Sequence, residues 1–429
     1  MRTERDSIGE MNLPDVPWGI NTQRARENFE LGNAKVDMAL VRAVVLVKKA
    51  AAQTYVSLGV KPDDYRRIIA ACDDVLEGKL DDAFPLDALQ GGAGTSINMN
   101  VNEVLALRAG GVHPLDDVNR GQSTNDVMPT ALRIAAIQML RALSDSCAQL
   151  QESLQKREAE FGTVKKLGRT ELMDAVAITL GDEFGAYAQA IARDRWRLYK
   201  MEERLRQVNL GGTAVGRSDN ASRKYRFQVV ENLRQLTQMG LAPAEYPMDI
   251  TQNNDVFVEA SGLLKALAVN LMKIANDIRL MASGPRGGLG ELRLKALQQG
   301  STIMPGKVNP VIPEMIIQCA IRTIANDTAI TMAAAHGEFE LNAFFPLIAD
   351  CILESLHLMT RATDLFREKC VDVLEADGDA CRRHLDRSFA FATAYADKLG
   401  YDAVARVIKE AKTPEEARAV LDRLEREGN

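Results

Sequence analysis

The residues with the most evident chemical potential lie in a polar loop bounded by glycine and proline, residues 300–310, with the sequence GSTIMPGKVNP. Ser301, Lys307 and Asn309 offer a hydroxyl, an ammonium and an amide, all of which donate hydrogen bonds. The loop ends a longer stretch, residues 284–310, that lacks helical periodicity. Because long non-repetitive loops in compact helical proteins are uncommon and usually functional, we expect this segment to be more than a linker.

Three further segments place neutral donors beside glycines, where the backbone can approach a ligand closely. They are GGAGTSINMNVNE at residues 91–103, GQSTNDVMPT at residues 121–130 and GRTELMD at residues 168–174. The second precedes a predicted long helix, whose positive N-terminal end favours anions. For the first two segments, capping of a helix start is an alternative that the residue types leave open.

Histidine, the usual base at neutral pH, occurs only four times, at His113, His336, His357 and His384. We interpret the last three as structural and His113 as a surface residue. A proton-transfer reaction in this protein therefore requires a different base.

The composition favours a soluble protein that acts on a small molecule. The formal charge is −6, the isoelectric point is near 5.5, and no long block of lysine or arginine predicts a nucleic-acid or anionic-membrane partner. No apolar run approaches the roughly 18 residues that cross a bilayer. Residues 1–15 carry charges of both signs and do not resemble a secretory signal.

The six cysteines are isolated from one another, which predicts buried free thiols in the reducing cytosol. Neither cysteines, histidines nor carboxylates cluster at the spacing of metal ligands. We therefore expect a cytoplasmic protein with no metal and no other cofactor.

Five stretches repeat apolar residues at alternating steps of three and four, which predicts long helices buried along one side. Strand signals are nearly absent, so the sequence predicts an all-α, or mainly α-helical, protein. Helices of roughly 20 to 35 residues form rods of about 30 to 50 Å, which pack into a bundle within one chain or between subunits. Pro129 suits the first turn of the first helix. The five stretches cover residues 132–154, 184–205, 264–281, 311–332 and 345–366.

Composition divides the chain into three expected domains. Residues 1–124 mix short helical patterns with Gly- and Asn-rich connections and form an N-terminal domain. Residues 125–371 form a central long-helix bundle domain, which contains the candidate catalytic loop 284–310. Residues 372–429 form a small C-terminal helical domain of short, highly charged segments.

The loop GSTIMPGKVNP resembles the signature loop of the aspartase/fumarase superfamily, GSSxMPxKxNP, with Thr302 in place of the second serine. The resemblance covers nearly the whole chain to about residue 370. It implies a three-domain aspartase/fumarase-like fold with a central long-helix bundle, and a homotetramer whose active sites are each built from three subunits. The C-terminal domain is shorter than is usual in that family. Four other segments, all before this loop in the chain, occur in the same order as in the family. They are GAGTSINMNVNEV, VNRGQSTNDVMPT, GRTELMDAVAITLGDEF and NLGGTAVG.

The resemblance also implies a reaction. In this family a serine, here Ser301, removes a proton from the carbon next to a carboxylate and produces an aci-carboxylate dianion. Backbone N–H groups of the loop and Lys307 are suited to stabilise the serine alkoxide. The alternative role of Ser301 is a cap on the helix predicted after Pro310. Fixed donors stabilise the dianion best, and the resemblance assigns carboxylate binding to Thr95, Ser123, Thr124, Asn125, Thr170, Lys307 and Asn309.

One position departs from the family pattern. Many fumarases and some aspartases have histidine after the threonine of GRT, and other aspartases have glutamine, whereas this chain has Glu171. The family histidine is usually held by a glutamate that corresponds to Glu314. Two carboxylates sharing a site would raise one pKa or require a bridging cation. We hypothesise that Glu171 faces a cationic or hydrogen-bond-donating part of the substrate, such as an ammonium. A salt bridge to a local arginine such as Arg169 is the alternative.

The resemblance therefore predicts a lyase that eliminates ammonia or an amine from an aspartate-like dicarboxylic amino acid, giving a fumarate-type product. QSTND and the loss of the histidine favour this reaction, whereas GLGEL and FELN look more like fumarase. A fumarase-type hydratase acting on a malate-like substrate is the first alternative. A non-catalytic helical scaffold is the second, and the intact Ser301, Lys307 and Asn309 argue against it.

Overall fold

The computed structural model of the protein describes residues 1–32 and 34–427. The described chain is mainly α-helical, which confirms the predicted fold class. By internal contacts the chain divides into two compact units. Unit 1 comprises Met1–Ser144, Trp196–Ala266 and Ile321–Met359, and unit 2 comprises Asp145–Arg195, Leu267–Ala320 and Thr360–Asn429. The three-domain division expected from composition stays a prediction.

Helices account for most of the chain that the structure describes. In order they are α1 (Ile20–Asn28), α2 (Met38–Ser57), α3 (Pro62–Leu76), α4 (Thr95–Ala109), α5 (Thr124–Glu160), α6 (Leu180–Leu205), α7 (Arg223–Thr237), α8 (Pro247–Gln252), α9 (Asp255–Met281), α10 (Val311–Ala335), α11 (Phe345–Phe366), α12 (Gly378–Asp386), α13 (Thr393–Leu399), α14 (Tyr401–Glu410) and α15 (Pro414–Glu427). The five longest, α5, α6, α9, α10 and α11, confirm the five helices that the apolar periodicity predicts.

Helix α5 begins earlier than expected, at Thr124, so that Pro129 lies inside the helix and not in its first turn. Proline lacks an N–H and cannot donate to the carbonyl four residues earlier, which is that of Asn125. The side chain of Asn209 replaces the missing donor, with its Nδ2 atom 3.0 Å from the Asn125 carbonyl oxygen. The helix therefore continues through the proline, and its first turn carries two residues of the candidate site.

Strands are short, and in the described ranges they pair only as two-stranded sheets. All pairs are antiparallel except the third, which is parallel. The pairs are β1 (Arg2–Arg5) with β2 (Glu10–Leu13), β3 (Lys165–Thr170) with β4 (Met173–Thr179), β5 (Gln207–Val208) with β6 (Ala242–Pro243), and β7 (Leu292–Arg293) with β8 (Glu375–Ala376).

The β3–β4 hairpin is the main departure from expectation, because strand signals are nearly absent from the sequence. Glu171 and Leu172 form its turn with φ angles of 54° and 65°. Positive φ at both turn positions suits the right-handed twist of a two-residue hairpin. Strand β4 contains Val176, Ile178 and Thr179, whose branched side chains favour extended backbone. The hairpin places Thr170 and Glu171 of the candidate site at its tip.

Within each unit, helices pack against one another through buried side chains. In unit 1, α2 packs against α3, α4 and α7, and the carboxylate of Asp37 caps α2 by accepting the Ala39 N–H at 2.7 Å. In unit 2, α13, α14 and α15 pack around Val404 and Leu421. The six cysteines are free thiols, and five of them are buried, which confirms the prediction of buried thiols for those five. None of the helices in the described ranges combines the length and the hydropathy that spanning a membrane requires.

Candidate active site

Unit 1 contains a cavity of about 670 Å³ at the N-terminal ends of α4 and α5. Three of the residues that the sequence predicts to bind carboxylates line it: Thr95, Ser123 and Thr124. The dipole of α5 places partial positive charge at its N-terminal end, beside these hydroxyls. The cavity therefore offers hydroxyl donors and a positive helix end, which suit a carboxylate.

A buried carboxylate, that of Asp126, holds the segment that enters α5 against a second polar segment of unit 1. It accepts backbone N–H groups from Ser123 at 2.9 Å and from Gly211 and Thr213 at 3.0 Å. Burial raises the pKa of Asp126 to about 6, although the three N–H groups act in the opposite direction. The motif NLGGTAVG is thus connected directly to the motif GQSTND.

Asn119 is the centre of a buried polar network behind the cavity. Its Oδ1 atom accepts from Lys48 Nζ at 2.8 Å and from the side-chain amides of Asn98 and Asn102 at 3.2 Å each. Asn98 Nδ2 also lies 3.2 Å from Thr124 Oγ1. This network is not visible in the sequence motifs. Asn98 and Asn102 lie within the segment 91–103, but Lys48 lies in α2, which has no motif that predicts a functional role.

Lys48 is a buried cation close to the cavity, with 1% of its surface exposed. Burial lowers the pKa of its ammonium to about 7, while the charge of Asp126 raises it. Two residues that line the cavity are therefore bonded to buried ionisable groups: Asn119 to Lys48, and Ser123 to Asp126. Neutral amides separate Lys48 from the cavity, because Asn98 and Asn119 line it and Lys48 does not.

Asn125 has a different environment from the other predicted ligands in unit 1. Its Nδ2 atom donates to the Ala214 carbonyl oxygen at 2.7 Å. Its backbone N–H lies 3.2 Å from Ser123 Oγ, and its carbonyl accepts from Asn209. Asn125 thus connects the two motifs of the cavity, with one amide N–H directed at the backbone.

In unit 2 the signature loop closes on itself at Gly300. The Gly300 N–H donates to the Lys307 carbonyl at 3.0 Å, and Asn309 Nδ2 donates to the Gly300 carbonyl at 2.7 Å. A Cβ atom at Gly300 would lie 2.3 Å from the Lys307 carbonyl oxygen, so only glycine fits there. The closed loop surrounds a cavity of about 440 Å³, which is lined by Ser301 and Lys307 among others.

The hydroxyl oxygen of Ser301 is held by backbone hydrogen bonds within the loop. Its Oγ atom accepts the backbone N–H groups of Ile303 at 3.1 Å and Met304 at 2.9 Å. Both donors belong to the loop, and α10 starts only at Val311, so Ser301 does not cap that helix. Lys307 is exposed, and in residues 1–32 and 34–427 no ion pair involves its ammonium. The loop therefore presents an oxygen with two fixed donors and an available cation.

Thr170 and Glu171 lie at the exposed tip of the β3–β4 hairpin in unit 2. No ion pair joins Glu171 to Arg169 in the described chain, where Arg169 Nη1 pairs with Glu291 Oε1 at 2.9 Å. Glu314 lies in the first turn of α10, 3.9 Å from the guanidinium of Arg279. Within unit 2, Glu314 therefore lies beside an arginine, whereas Glu171 is exposed at the hairpin tip.

None of the four histidines lines either of these two cavities. His113 is exposed and its Nδ1 atom accepts backbone N–H groups from Leu115 and Asp116. His384 Nε2 lies 2.8 Å from the Leu289 carbonyl oxygen, and His336 Nδ1 lies 2.7 Å from that of Met332. Across the described parts of the chain, no three or more His, Cys, Asp or Glu side chains group in a way that could hold a metal ion.

The comparisons with known proteins agree with these motifs. A sequence model of the family described as lyase matches residues 11–325. Aspartate ammonia-lyase from a Bacillus species is 41% identical, over 96% of this chain and 91% of the relative. Class II fumarate hydratase from Neisseria meningitidis is 42% identical, over 96% of this chain and 92% of the relative. A crystal structure of fumarate lyase:delta crystallin from Brucella melitensis bound to cobalt has a TM-score of 0.94 at 45% identity, and covers 98% of this chain and 95% of that chain.

Proposed function

This chain belongs to the aspartase/fumarase superfamily of lyases, and from that premise we propose that it is a carbon–nitrogen lyase. In this proposal the substrate is an aspartate-like dicarboxylic amino acid, and the products are ammonia or an amine and a fumarate-type dicarboxylate. The proposal rests chiefly on Ser301, whose oxygen accepts two backbone N–H groups, at 2.9 and 3.1 Å, in a loop that also carries Lys307.

Proton removal is the first step, and Ser301 performs it in this proposal. Backbone N–H groups favour the alkoxide over the neutral hydroxyl, because they interact more strongly with a full negative charge. The alkoxide takes a proton from the carbon next to one carboxylate, and the released electron pair moves into that carboxylate as an aci-carboxylate dianion. The carbon–nitrogen bond then breaks, and the protonated nitrogen keeps the bonding pair and leaves as ammonia or a neutral amine.

The dianion is stabilised by donors that are in position before the reaction. Lys307 supplies a full positive charge, and the cavity lined by Thr95, Ser123 and Thr124 supplies hydroxyls at the positive end of α5. A carboxamide carries two N–H donors. Asn125 and Asn309 each donate one to a backbone carbonyl and keep the second for a substrate carboxylate. Thr170 is the remaining proposed carboxylate ligand.

In this proposal Glu171 favours an amine over hydroxide as the leaving group. Its side chain is exposed at the hairpin tip, and Arg169 is paired with Glu291 instead of neutralising it. A carboxylate attracts the ammonium of an amino acid but offers no hydrogen to a departing hydroxide at neutral pH. Glu314, the counterpart of the glutamate that holds the family histidine, interacts with Arg279 in this proposal and does not share a proton with Glu171.

Substitution of Glu171 tests the leaving group. Formation of the conjugated dicarboxylate is followed by ultraviolet absorbance with aspartate, N-substituted aspartates and malate as substrates. The wild type should prefer an amine substrate, and Glu171→Gln should lower kcat/KM for that substrate by about tenfold or more, because a charge-assisted hydrogen bond is lost. Glu171→His should move the preference towards malate.

Asp174→Asn is the matched control, because it removes one negative charge from an exposed position of the same hairpin. It should leave the preference between amine and hydroxy acid unchanged. If both Glu171 variants keep wild-type activity on every substrate, Glu171 has no part in recognising the leaving group.

A fumarase-type hydratase is the second candidate function. It is favoured by the 42% identity to class II fumarate hydratase and by the segments GLGEL and FELN. The fold and the serine base would be the same, and only the leaving group would differ. Turnover of malate at a rate above that of every amine substrate would establish this candidate in place of the first.

We further propose that the protein works as a homotetramer whose active sites are shared between subunits. Long helices of unit 1 expose large apolar side chains, among them Trp196 and Tyr199 on α6 and Ile321 and Met332 on α10. Such surfaces indicate burial against a partner. The small-molecule substrate, the absence of nucleic-acid and membrane partners and the cytoplasmic location remain predictions from composition.

Trp196→Glu tests the assembly. Trp196 is 66% exposed, so the substitution costs the monomer little, whereas a carboxylate at a subunit interface is costly. Sedimentation should give four times the 47.1 kDa chain mass for the wild type and smaller species for the variant. Activity should fall in proportion to the fraction of tetramer. A fully active monomer would contradict shared sites, and Tyr401→Glu, on the exposed surface of α14, is the control.

A further inference from the structure

Two segments that are distant in sequence contribute to the lining of the unit 1 cavity: the entry segment, residues 119–124, and the turn segment, residues 211–214. The carboxylate of Asp126 binds both. Its Oδ1 atom accepts the Ser123 N–H at 2.9 Å, and its Oδ2 atom accepts the N–H groups of Gly211 and Thr213 at 3.0 Å each. Asp126 is completely buried, and no ion pair involves it in the described chain. The three N–H groups therefore offset much of the cost of burying its charge.

The first oxygen has an ordinary structural role. Ser123 directly precedes α5, and Asp126 is the third residue of that helix. Ser123 Oγ accepts the Asn125 N–H at 3.2 Å while Asp126 Oδ1 accepts the Ser123 N–H, which is the reciprocal arrangement of a capping box. Such a cap needs one carboxylate oxygen. It does not explain the second oxygen, which binds a segment more than 80 residues away.

The turn segment has a backbone conformation that must be held in place. Thr213 is 6% exposed and has a φ angle of 59°, which is unusual for a residue with a branched Cβ. Its own hydroxyl donates to the neighbouring Gly212 carbonyl at 2.7 Å and so gives no support from outside the segment. Strained backbone persists only where the surroundings fix it, and it is common at ligand sites. Asp126 Oδ2 supplies such a constraint, because it binds the N–H groups on both sides of Gly212.

Other contacts between α5 and the second motif leave this role to Asp126. Asn209 donates to the Asn125 carbonyl at 3.0 Å, but Asn209 precedes the turn segment and does not line the cavity. Asn125 Nδ2 donates to the Ala214 carbonyl at 2.7 Å, but this contact is exposed, so that water competes for it. Asp126 thus provides a buried connection that reaches the backbone of two residues lining the cavity, Ser123 and Thr213.

We propose that Asp126 is a positioning residue, which fixes the turn segment against the entry segment and so keeps the carboxylate-binding cavity in shape. The inference rests on the proposed function for the identity of the ligand, and on the contacts alone for its effect on structure. All the contacts lie within unit 1 of one chain. The proposal therefore does not depend on which subunits complete the active site.

Hydrogen–deuterium exchange tests the structural part without requiring turnover. Asp126→Asn keeps the size of the side chain but replaces one acceptor oxygen with an NH₂ group. In either orientation of the amide, one of the two segments meets a donor where it needs an acceptor. Peptides that cover Ser123 or residues 211–213 should therefore exchange at least about fivefold faster in this variant. Unchanged exchange in both segments would overturn the proposal.

Glu103→Gln is the matched control for this variant. Glu103 is also a buried carboxylate of unit 1, and it accepts three backbone N–H groups, from Gly19 at 3.1 Å, Asn21 at 2.8 Å and Thr22 at 3.1 Å. Neither Glu103 nor these three residues line the cavity. The control should accelerate exchange in residues 19–22 and leave residues 211–213 as in the wild type.

Binding of succinate, a dicarboxylate without a leaving group, tests the functional part. Titration calorimetry on the intact protein should give a Kd for Asp126→Asn that is about 10- to 100-fold higher than for the wild type, because hydrogen bonds to a charged ligand lose their alignment. KM for the best substrate should rise similarly and kcat should change less, since the loss affects ground-state binding as well. Glu103→Gln should keep the wild-type Kd and KM.

The outcomes separate this inference from the proposed function. A folded Asp126→Asn protein with normal Kd and normal KM would show that Asp126 only caps α5, and would overturn the proposal. If the wild type neither binds succinate nor turns over any substrate, the proposed function fails. The exchange experiment then still decides whether Asp126 holds the two segments together.

Asp126→Glu covers the case in which Asp126→Asn does not fold. Glutamate is a regular residue at the third position of a capping box, and it keeps the charge and both acceptor oxygens. Its additional methylene group occupies a closely packed site and displaces the turn segment. The Kd of succinate should therefore rise at least about fivefold, whereas a residue that served only as a cap would tolerate the change. Normal exchange at residues 211–213 together with normal succinate affinity in Asp126→Glu would overturn the proposal.

Discussion

Replacing Ser301 with alanine should lower kcat about a thousandfold, the middle of the range for removal of an essential general acid or base. The Ser301 oxygen accepts two backbone N–H groups, and no other hydroxyl of the loop 300–310 accepts a hydrogen bond in the described chain. Alanine keeps the loop backbone but removes the oxygen that takes the proton in the proposed reaction. KM should change little, because carboxylate binding is assigned to other residues. Initial rates of dicarboxylate formation on the best substrate measure the effect.

Thr302→Ala is the matched control for this variant. Thr302 neighbours Ser301 and is exposed. Its removal should leave most of the activity, and circular dichroism and thermal unfolding should show that both variants fold as the wild type does. A Ser301→Ala protein that turns over its best substrate at the normal rate would remove the proposed chemistry, while the family and the fold would stand.

The long helices were predictable because burial of one helix face leaves a periodic apolar pattern. Leu264, Leu267 and Leu271 of α9, for example, follow steps of three and four and are all at most 1% exposed. The start of α5 was not predictable in the same way. It depends on the side chain of Asn209, far along the chain, which supplies the hydrogen bond that Pro129 cannot make.

The β3–β4 hairpin was missed because its turn lacks the usual local signal. Two-residue hairpin turns usually contain asparagine, aspartate or glycine, since these residues adopt positive φ most easily. Here Glu171 and Leu172 adopt positive φ instead. Strained backbone is often found where function requires a side chain in a particular place, and in this chain the strain coincides with the position that departs from the family pattern.

Of the candidate site, the sequence could identify the residues in motifs but not the groups that support them. Thr95, Ser123 and Ser301 stand among glycines and other donors, and this composition is visible in one short segment. The partners of such residues are distant in sequence: Lys48 is 71 residues from Asn119, and Arg169 is 122 residues from Glu291. A single sequence carries no pattern that connects positions so far apart.

Replacing Lys307 with methionine should lower kcat by about 100- to 1000-fold, the range for removal of one preorganised group that stabilises a developing negative charge. Methionine keeps the length and the apolar stem of lysine but removes the charge. The ammonium of Lys307 is exposed and forms no ion pair in the described chain, so it is available both to the alkoxide of Ser301 and to a substrate carboxylate. KM should rise as well, because a carboxylate also interacts with this charge in the ground state.

Lys295→Met is the matched control for Lys307→Met, because it removes an exposed lysine from the same stretch, residues 284–310. It should leave kcat and KM close to the wild-type values, which would separate a local effect of Lys307 from a general loss of positive charge. Since the site of the ammonium is open to solvent, added methylammonium should restore part of the rate in Lys307→Met and none in Ser301→Ala. The two losses differ in kind, because an external cation can replace a charge, whereas it cannot replace the oxygen that accepts the proton. Normal turnover by Lys307→Met would show that the charge of the dianion is balanced elsewhere.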